Sequence, residues 1–337
     1  MKSYVAKRLG TMVLILIGVL VMTFVISRVL PGSPVEMYLG SRPSAEAVER
    51  VTREMGLDRP IYVQFVRYLG EVVQGDFGIS LMTKRPVLTE ISERFPATLE
   101  LVLCSVLLVV LVGVPLGVVA ALRQNGIVDV VARSVSAFGV AIPTFLIAMM
   151  LQLFFAGQLR LLPLQGRIDD LVLLDYEFPH VTGLYLFDSA IAGEWVAFGS
   201  AAAHLVMPTL ALSLSALALI VRITRTMMIE ALGEEFVTTL RAYGLSSARV
   251  NFRYVLKAAL IPLLTVVGMT FGYLLGTSVV AEYVFDWPGI GGFIVRAITK
   301  SDYPSVMAIT MLLATAYLLI TFLVDMLHFA VDPRLRH

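Results

Sequence analysis

The chain has 337 residues, of which 58% are hydrophobic and 15% are charged, and its mean hydropathy is +0.85. This composition places the chain among membrane proteins rather than soluble domains. The formal net charge of +1 leaves no basic domain that could bind nucleic acid through its phosphates. A single cysteine, Cys104, lies inside an apolar run, which excludes an intrachain disulfide and a cysteine zinc site.

The N-terminus carries Lys2, Lys7 and Arg8 ahead of an uncharged run over residues 9–27. A helix of this length can cross the hydrocarbon layer of about 30 Å. Cleaved signal peptides begin in the same way, but this run is longer than their apolar region, and no small-x-small cleavage site follows. We therefore expect residues 1–30 to form a retained first transmembrane helix.

A more polar segment, residues 31–97, separates this run from the next one. Helical spacing of its apolar residues predicts two helices, one over residues 44–55 with Ser44 as its cap and one over residues 61–73. We interpret the segment as a small lid that contacts a soluble partner. A solvated connector is the alternative.

Five more uncharged runs follow, which brings the number of predicted spans to six. They cover residues 101–122, 134–159, 195–221, 258–281 and 303–324. With the N-terminus inside, the inner segments carry 13 basic and 6 acidic residues, a net charge of +7, and the outer segments carry 13 basic and 19 acidic residues, a net charge of −6. The excess of inner basic residues predicts that both termini are cytoplasmic.

An outer insertion at about residues 160–198 separates the third and fourth runs. It is rich in acidic residues, which favours either a cationic ligand or a solvated surface, and we prefer the solvated surface.

An unusually long inner connection, residues 230–262, joins the fourth and fifth runs. Phe236, Leu240 and Tyr243 share one face of a short predicted helix that starts near Glu234 and stops at Gly244. Leu245 and Ser246 then resemble a hydrophobic staple, with Val250 as its partner, and the N-cap of a second, basic helix. The apolar face could lie on the bilayer or dock into a soluble partner.

The connection resembles the cytoplasmic signature loop, often called the EAA loop, of bacterial ABC importer permeases. Its peptide-permease form, ARAKGL followed by RHALRNALIP, is matched here by LRAYGL at residues 240–245 and RYVLKAALIP at residues 253–262. One departure is that Thr238-Thr239-Leu240 stand where the superfamily has Glu-Ala-Ala, so any ion pair of that glutamate is not carried over.

Seven further motifs extend the resemblance to the B-type subunit of dipeptide and oligopeptide permeases, with the dipeptide branch favoured. They are LPGSP at residues 30–34, GLDRP at 56–60, GDFGIS at 75–80, RFPATLEL at 94–101, WPGIG at 287–291, DYP at 302–304 and DPRLR at 332–336. Thr321 departs from the pattern, because relatives usually have asparagine there.

The resemblance implies an all-α membrane protein with the type I ABC importer permease fold and a permease core over residues 98–337. It also implies a multi-pass location in the bacterial inner membrane. The implied partners are a homologous second permease subunit in a heterodimer, two ABC ATPase subunits and a periplasmic peptide-binding protein. The cargo would be dipeptides or short oligopeptides.

The same resemblance makes the coupling loop, residues 230–257, the contact with the ATPase subunits. The residues assigned to that contact are Glu235, Phe236, Leu240, Arg241, Ala242, Tyr243, Gly244 and Leu245.

The sequence lacks a nucleotide site of its own. No Gly-Lys dipeptide is present, so a GxxxxGK(S/T) loop is excluded, and ATP with its magnesium is expected on partner subunits. We expect no cofactor or metal on this chain, since its four histidines lack a ligand spacing, and no catalytic constellation is evident.

The centres of the six runs lack Asp, Glu, Lys and Arg, which disfavours coupling to an ion gradient. Pro143 and the fifth-run glycines Gly268, Gly272 and Gly276 are candidates for a gate, although close helix packing or a kink also explains them. Glutathione or a nickel chelate as cargo, a secondary transporter and a membrane scaffold remain alternatives.

Overall fold

The computed structural model describes residues 2–29, 35, 39, 44–54, 56–176, 178 and 181–331, and the regular elements within these ranges are helices. The motifs at residues 30–34 and 332–336, together with Met55, Glu177, His180 and His337, lie outside the described residues.

In chain order the α-helices are α1 (Lys2–Val29), α2 (Ala45–Glu54), α3 (Ile61–Val73), α4 (Val87–Leu108), α5 (Val114–Leu122), α6 (Ile127–Ala141), α7 (Thr144–Leu151), α8 (Asp170–Asp175), α9 (Tyr185–Ala192), α10 (Trp195–Leu232), α11 (Glu235–Ala242), α12 (Ser247–Arg249), α13 (Leu256–Val284), α14 (Ile290–Thr299) and α15 (Tyr303–Val331). Three π-helical segments join neighbours: Val109–Gly113 between α4 and α5, Gln152–Gln158 after α7, and Val250–Val255 between α12 and α13.

The two helices predicted in the outer segment are confirmed. The Ala47 amide donates to the Ser44 hydroxyl at 3.2 Å, as expected for an N-cap at the start of α2. The predicted limits 61–73 are those of α3.

Within the residues that the structure describes, five continuous helical segments are long and apolar enough to cross a membrane. They are Val5–Ser27, Val87–Leu122, Trp195–Leu232, Ser247–Val284 and Tyr303–Leu327. The run 134–159 is not the single straight span that the sequence predicts, because its helices α6 and α7 meet at an angle of 102°. Counting this bent pair as one span gives six.

The break in the bent pair falls at Ile142 and Pro143. Ile142 is extended, with φ −88° and ψ 126°, and Pro143 precedes the first turn of α7. A residue before proline avoids the helical conformation, because the proline ring clashes with its backbone. The proline therefore interrupts the helix here.

The chain divides into two compact units, Met1–Pro96 with Gly289–Leu318 and Ala97–Pro288 with Leu319–His337. In the first unit, the start of α4 packs against α14 and α15 through a buried apolar cluster. Its fully buried members are Val87, Ile91, Ile290, Phe293, Ala308 and Ile309.

A buried carboxylate fastens this first unit. Asp302 accepts hydrogen bonds from the Ser80 hydroxyl at 2.5 Å, the Leu81 amide at 3.0 Å and the Ser305 hydroxyl at 2.8 Å. A buried charge is stable only when it is hydrogen-bonded in this way. The GDFGIS and DYP motifs therefore meet at one structural site.

The second unit is built around α10. This helix packs against α5, α6, α7 and α13, and small residues bring the partners close. A Cβ atom built at Gly117 of α5 would lie 2.6 Å from the Thr224 Cβ, and one built at Gly139 of α6 would lie 3.1 Å from the Ala218 Cβ. Larger side chains at these glycines would force the helices apart.

Charges that the sequence places at the ends of spans are buried in the second unit. Glu100 accepts from the Arg167 guanidinium at 2.6 Å and from the Leu186 amide at 2.8 Å. Glu282 accepts from the hydroxyls of Thr98 at 2.8 Å and Ser278 at 3.0 Å. Because these carboxylates are satisfied internally, they do not end their helices. The first helix begins before the predicted run 101–122, at Val87, and the second continues past the predicted run 258–281, to Val284.

The solvated surface expected at residues 160–198 is wrong for one of its acidic residues. Asp188 is buried and accepts hydrogen bonds from the Thr182 hydroxyl and the Gly183 amide, each at 2.8 Å. Arg167 in the same insertion is buried as well, with its guanidinium 3.8 Å from the centre of the Tyr185 ring. These charges hold the insertion together.

The buried pair of Glu100 and Arg167 yields a stability prediction. We expect Arg167→Met to destabilise the protein by about 3–5 kcal/mol, since it leaves the Glu100 carboxylate buried without its counter-ion. Thermal unfolding of the purified, detergent-solubilised protein should show this as a lowered Tm.

The double variant Glu100→Gln, Arg167→Met should regain part of the loss, because it removes both charges. The exposed Arg160, changed to methionine, is the control. An unchanged Tm for Arg167→Met would contradict a structural role of the pair.

Candidate coupling site

The connection between α10 and α13 folds as a short helical hairpin. α10 ends at Leu232, Gly233 follows with φ −82°, and Glu234 is the N-cap residue of α11. The start predicted near Glu234 is therefore correct. The hairpin lies entirely within the second unit.

Gly244 ends α11 in a left-handed conformation, with φ +80°. The Gly244 amide donates to the Arg241 carbonyl at 2.9 Å, and the Leu245 amide donates to the Leu240 carbonyl at 3.2 Å. These two bonds form a Schellman motif, which satisfies carbonyls that would otherwise lack a partner at the helix end. The turn needs glycine because a Cβ is strained at positive φ.

The second arm begins at Ser246, whose hydroxyl accepts from the Arg249 amide at 3.4 Å. Leu245 and Val250 belong to one apolar cluster, as the predicted staple requires. From Ser247 the helix runs without a break into the span that ends at Val284. Motion of the hairpin is thus tied directly to a span.

The inner side of α11 is anchored in the core of the second unit. Val237 is only 1% exposed and packs in a cluster contributed by α5, α10, α11 and the start of the next span. The buried members are Val118, Ala121, Met228, Ala231, Val237, Val250, Val255 and Ala259. Leu240 is half-buried against the same cluster.

The outer side of α11 is exposed. Phe236 is 37% exposed and Tyr243 is 79% exposed. The predicted apolar face is thus divided: Tyr243 is largely exposed and Phe236 is partly exposed, whereas Leu240 packs against the core. Sequence reasoning missed Val237 as the anchor, although Val237 and Leu240 are three residues apart and share a helix face.

Cationic side chains surround this exposed surface. Arg241, Arg249, Arg253 and Lys257 are all exposed, and none of them forms an ion pair within the described part of the chain. Glu235 and Ala242 are exposed as well, and Leu245 is half-buried. The hairpin therefore presents two aromatic rings and four unpaired cations on a backbone that its own core holds in place.

The candidate gate residues are in different environments. A Cβ built at Gly268 would lie 2.6 Å from Val324 Cγ2, so this glycine permits close packing of α13 on α15 within the second unit. Gly276 has no such neighbour within 4 Å, and Gly272 is half-buried. Pro143 lies at the break between α6 and α7.

Two family models match the chain. The model described as "Binding-protein-dependent transport system inner membrane component" matches residues 113–337, and its N-terminal counterpart matches residues 1–102.

Curated relatives match over their whole length. The chain is 40% identical to the "Probable D,D-dipeptide transport system permease protein" of Escherichia coli K12, over 99% of this chain and 97% of the relative. It is 39% identical to the dipeptide transport system permease of the same strain, over 100% and 99%. A glutathione transport system permease of another E. coli strain is 34% identical over 100% of both chains.

A solved structure supports the fold. A chain of the MetNI methionine ABC transporter, in an inward-facing conformation, aligns with a TM-score of 0.51 and 18% identity, covering 70% of this chain and 93% of that chain. With the helical architecture and the family matches, this likeness confirms the type I ABC importer permease fold expected from the sequence. The chain belongs to the inner membrane components of binding-protein-dependent transport systems, in the dipeptide branch of the ABC importer permeases.

Proposed function

We propose that this chain is one of two permease subunits of an ATP-driven importer and that its hairpin around α11 transmits the motion of the ATPase subunits. The proposal rests chiefly on one observation: α11 and its C-cap carry partly exposed Phe236, exposed Tyr243 and unpaired Arg241, and Val237 anchors this helix to the core. Such a surface suits a soluble protein partner with an apolar pocket and acidic rim.

The energetics of docking favour this surface. Complete burial of a large apolar side chain contributes about 1.5–3 kcal/mol before the costs of association. Tyr243, which is 79% exposed, would gain most of this, and Phe236, which is 37% exposed, would gain a smaller part. The anchored backbone lowers the ordering cost, because α11 is already folded. The surrounding cations then set orientation and register through complementary charge.

In the proposed cycle, ATP and its magnesium bind to two partner ATPase subunits, which close and carry the hairpin with them. The spans of this chain and of a homologous second permease subunit then change between inward-open and outward-open arrangements. A periplasmic binding protein delivers the cargo to the outward-open state. This cycle places both termini and the hairpin in the cytoplasm.

The break at Pro143 is the position where the spans can bend during this cycle. Its two half-helices already meet at 102°, and a proline break leaves backbone groups without helical partners, which lowers resistance to bending. We assign the contact of Gly268 with Val324 to packing. Gly276 has open space around it in this chain and is therefore the better candidate for the moving pathway.

The proposed cargo is a dipeptide or short oligopeptide, supported by the 39% identical dipeptide permease. Glutathione, itself a short peptide, is the second candidate, and the 34% identical glutathione permease favours it.

Gly244→Ala should weaken coupling. The substitution forces a side chain into positive φ, which costs about 1–2 kcal/mol and loosens the turn that orients α11. In proteoliposomes containing the complete importer, the ratio of cargo molecules imported to ATP hydrolysed should fall.

Gly233→Ala is the matched control, because Gly233 is at the end of α10 with negative φ and an added Cβ meets only an ordinary contact at 3.4 Å. If Gly244→Ala and Gly233→Ala imported the same amount of cargo per ATP hydrolysed, the turn at Gly244 would have no role in coupling.

Phe236→Ala and Tyr243→Ala should each weaken binding of the ATPase subunits by about tenfold or more, since each removes a ring from the proposed contact. Surface plasmon resonance measures this loss as a raised Kd when the ATPase subunits are titrated over the immobilised permease. Leu240→Asp is a poorer test, because Leu240 also packs in the core.

Tyr62→Ala removes an aromatic ring that is 68% exposed, against 79% for Tyr243, from α3 in the outer segment and should leave ATPase binding unchanged. If Tyr62→Ala weakened the complex and Tyr243→Ala did not, the docking surface would lie on the outer segment and not on the hairpin.

Uptake of a labelled dipeptide in the same proteoliposomes should require ATP and should persist after an ionophore collapses ion gradients. Unlabelled dipeptides should compete with the label, whereas glutathione should not. Competition by glutathione alone would favour the second cargo, and uptake that follows the ion gradient without ATP would identify a secondary transporter.

A further inference from the structure

We propose that a cavity between α6 and α10 is a binding site for an anionic phospholipid. The cavity has a volume of about 510 Å³, and Arg133, Arg222 and Arg225 line it together with small residues of both helices. It lies at the end of α10 that leads into the hairpin. The proposal is independent of the cargo and of the ATPase contact.

The cavity carries a net positive charge. Among the described residues, Asp129 is the acidic side chain paired with the cavity's arginines. It is buried and accepts from the Arg225 guanidinium through both carboxylate oxygens. The same carboxylate accepts from the Asn125 amide at 2.9 Å, and Arg133 lies 3.6 Å from it. Its hydrogen-bonding capacity is largely used.

Arg222 is exposed and forms no ion pair within the described residues. The site thus contains three guanidinium groups and one carboxylate, so two of its positive charges are not neutralised. An arginine guanidinium can donate two parallel hydrogen bonds to one phosphate group, so a phosphate group is the complementary ligand.

A second, apolar cavity of about 280 Å³ is lined by residues of the same two helices and of α5. The two share Ala132, Ser136, Ala218 and Val221, and the second extends along Leu116, Val131 and their neighbours. Its lining is almost entirely apolar. The contact between α6 and α10 thus has a cationic cavity and an apolar cavity beside it, which suit the headgroup and the acyl chains of a phospholipid.

The exposure of α6 also fits lipid. Ile127, Val131 and Val135 lie four residues apart on one face, and each is more than half exposed. A face of this kind in a membrane protein contacts hydrocarbon. Basic pockets between membrane helices bind anionic headgroups, and membrane proximity supplies the lipid at high local concentration.

The test uses the full-length protein in nanodiscs of phosphatidylcholine containing a minor fraction of phosphatidylglycerol. After extraction into detergent, mass spectrometry measures how much of each lipid remains bound. We expect phosphatidylglycerol to be enriched on the wild-type protein relative to the nanodisc.

The double variant Arg133→Gln, Arg222→Gln should bind phosphatidylglycerol about thirtyfold more weakly, since each arginine near an anionic lipid contributes roughly fivefold. This variant leaves the Arg225 pair with Asp129 intact, and the Tm checks that it folds. Ala132→Phe should also lower retention by filling the shared space without changing charge.

Arg123→Gln is the matched control, since Arg123 is exposed near the same span end but does not line the cavity. Equal enrichment in the wild type, the double variant and Ala132→Phe would overturn the proposal. Displacement of the lipid by inorganic phosphate at constant ionic strength would assign the site to a soluble anion instead.

The variant Val131→Cys tests whether a second permease subunit, and not lipid, covers this groove. If it cross-links efficiently to a second permease subunit in the assembled importer, a protein covers this groove and the lipid proposal fails. If it reacts instead with a lipid-soluble maleimide, the groove is open to the bilayer as proposed.

Discussion

The close packing of α10 is the constraint on which the rest of the second unit depends. Gly117 and Gly139 bring two neighbouring helices within touching distance of this 38-residue helix, and its final turns supply Met228 and Ala231 to the cluster that anchors α11. A continuous helix transmits displacement along its axis because its hydrogen bonds resist stretching and bending. The spans and the hairpin therefore share one continuous helix.

Local chemistry made part of this architecture predictable. The caps at Ser44 and Ser246 and the helix end at Gly244 depend on hydrogen bonds within about one helical turn. The local sequence is therefore enough to predict them. The apolar runs likewise predict spans, because lipid demands long uncharged helices.

Contacts between distant residues were not predictable. Glu100 finds its partner Arg167 67 residues away, so a charge that should bound a span instead lies inside the protein. The inward turn of Val237 also depends on α5 and α10, which only the folded chain brings together. Pro143 indicated a possible kink, but nothing in its uncharged run showed that the two helices meet at 102°.

Several buried carboxylates act as structural fasteners. Asp302, Glu100 and Glu282 each accept hydrogen bonds from groups on other segments, and Asp188 closes its own loop. A satisfied carboxylate positions its neighbours without taking part in transport chemistry. Their presence at span ends is therefore compatible with a pathway that is not driven by protons or sodium.

The π-helical segment Val250–Val255 sits between the hairpin and the body of α13. A π turn accommodates one extra residue, and each residue of an α-helix advances the side chains by about 100° around the axis. The hairpin therefore faces a direction that an uninterrupted helix of the same sequence would not give it. Deleting one residue from this π-helical segment would change the direction in which Phe236 and Tyr243 face, whereas every span would keep its position in the bilayer.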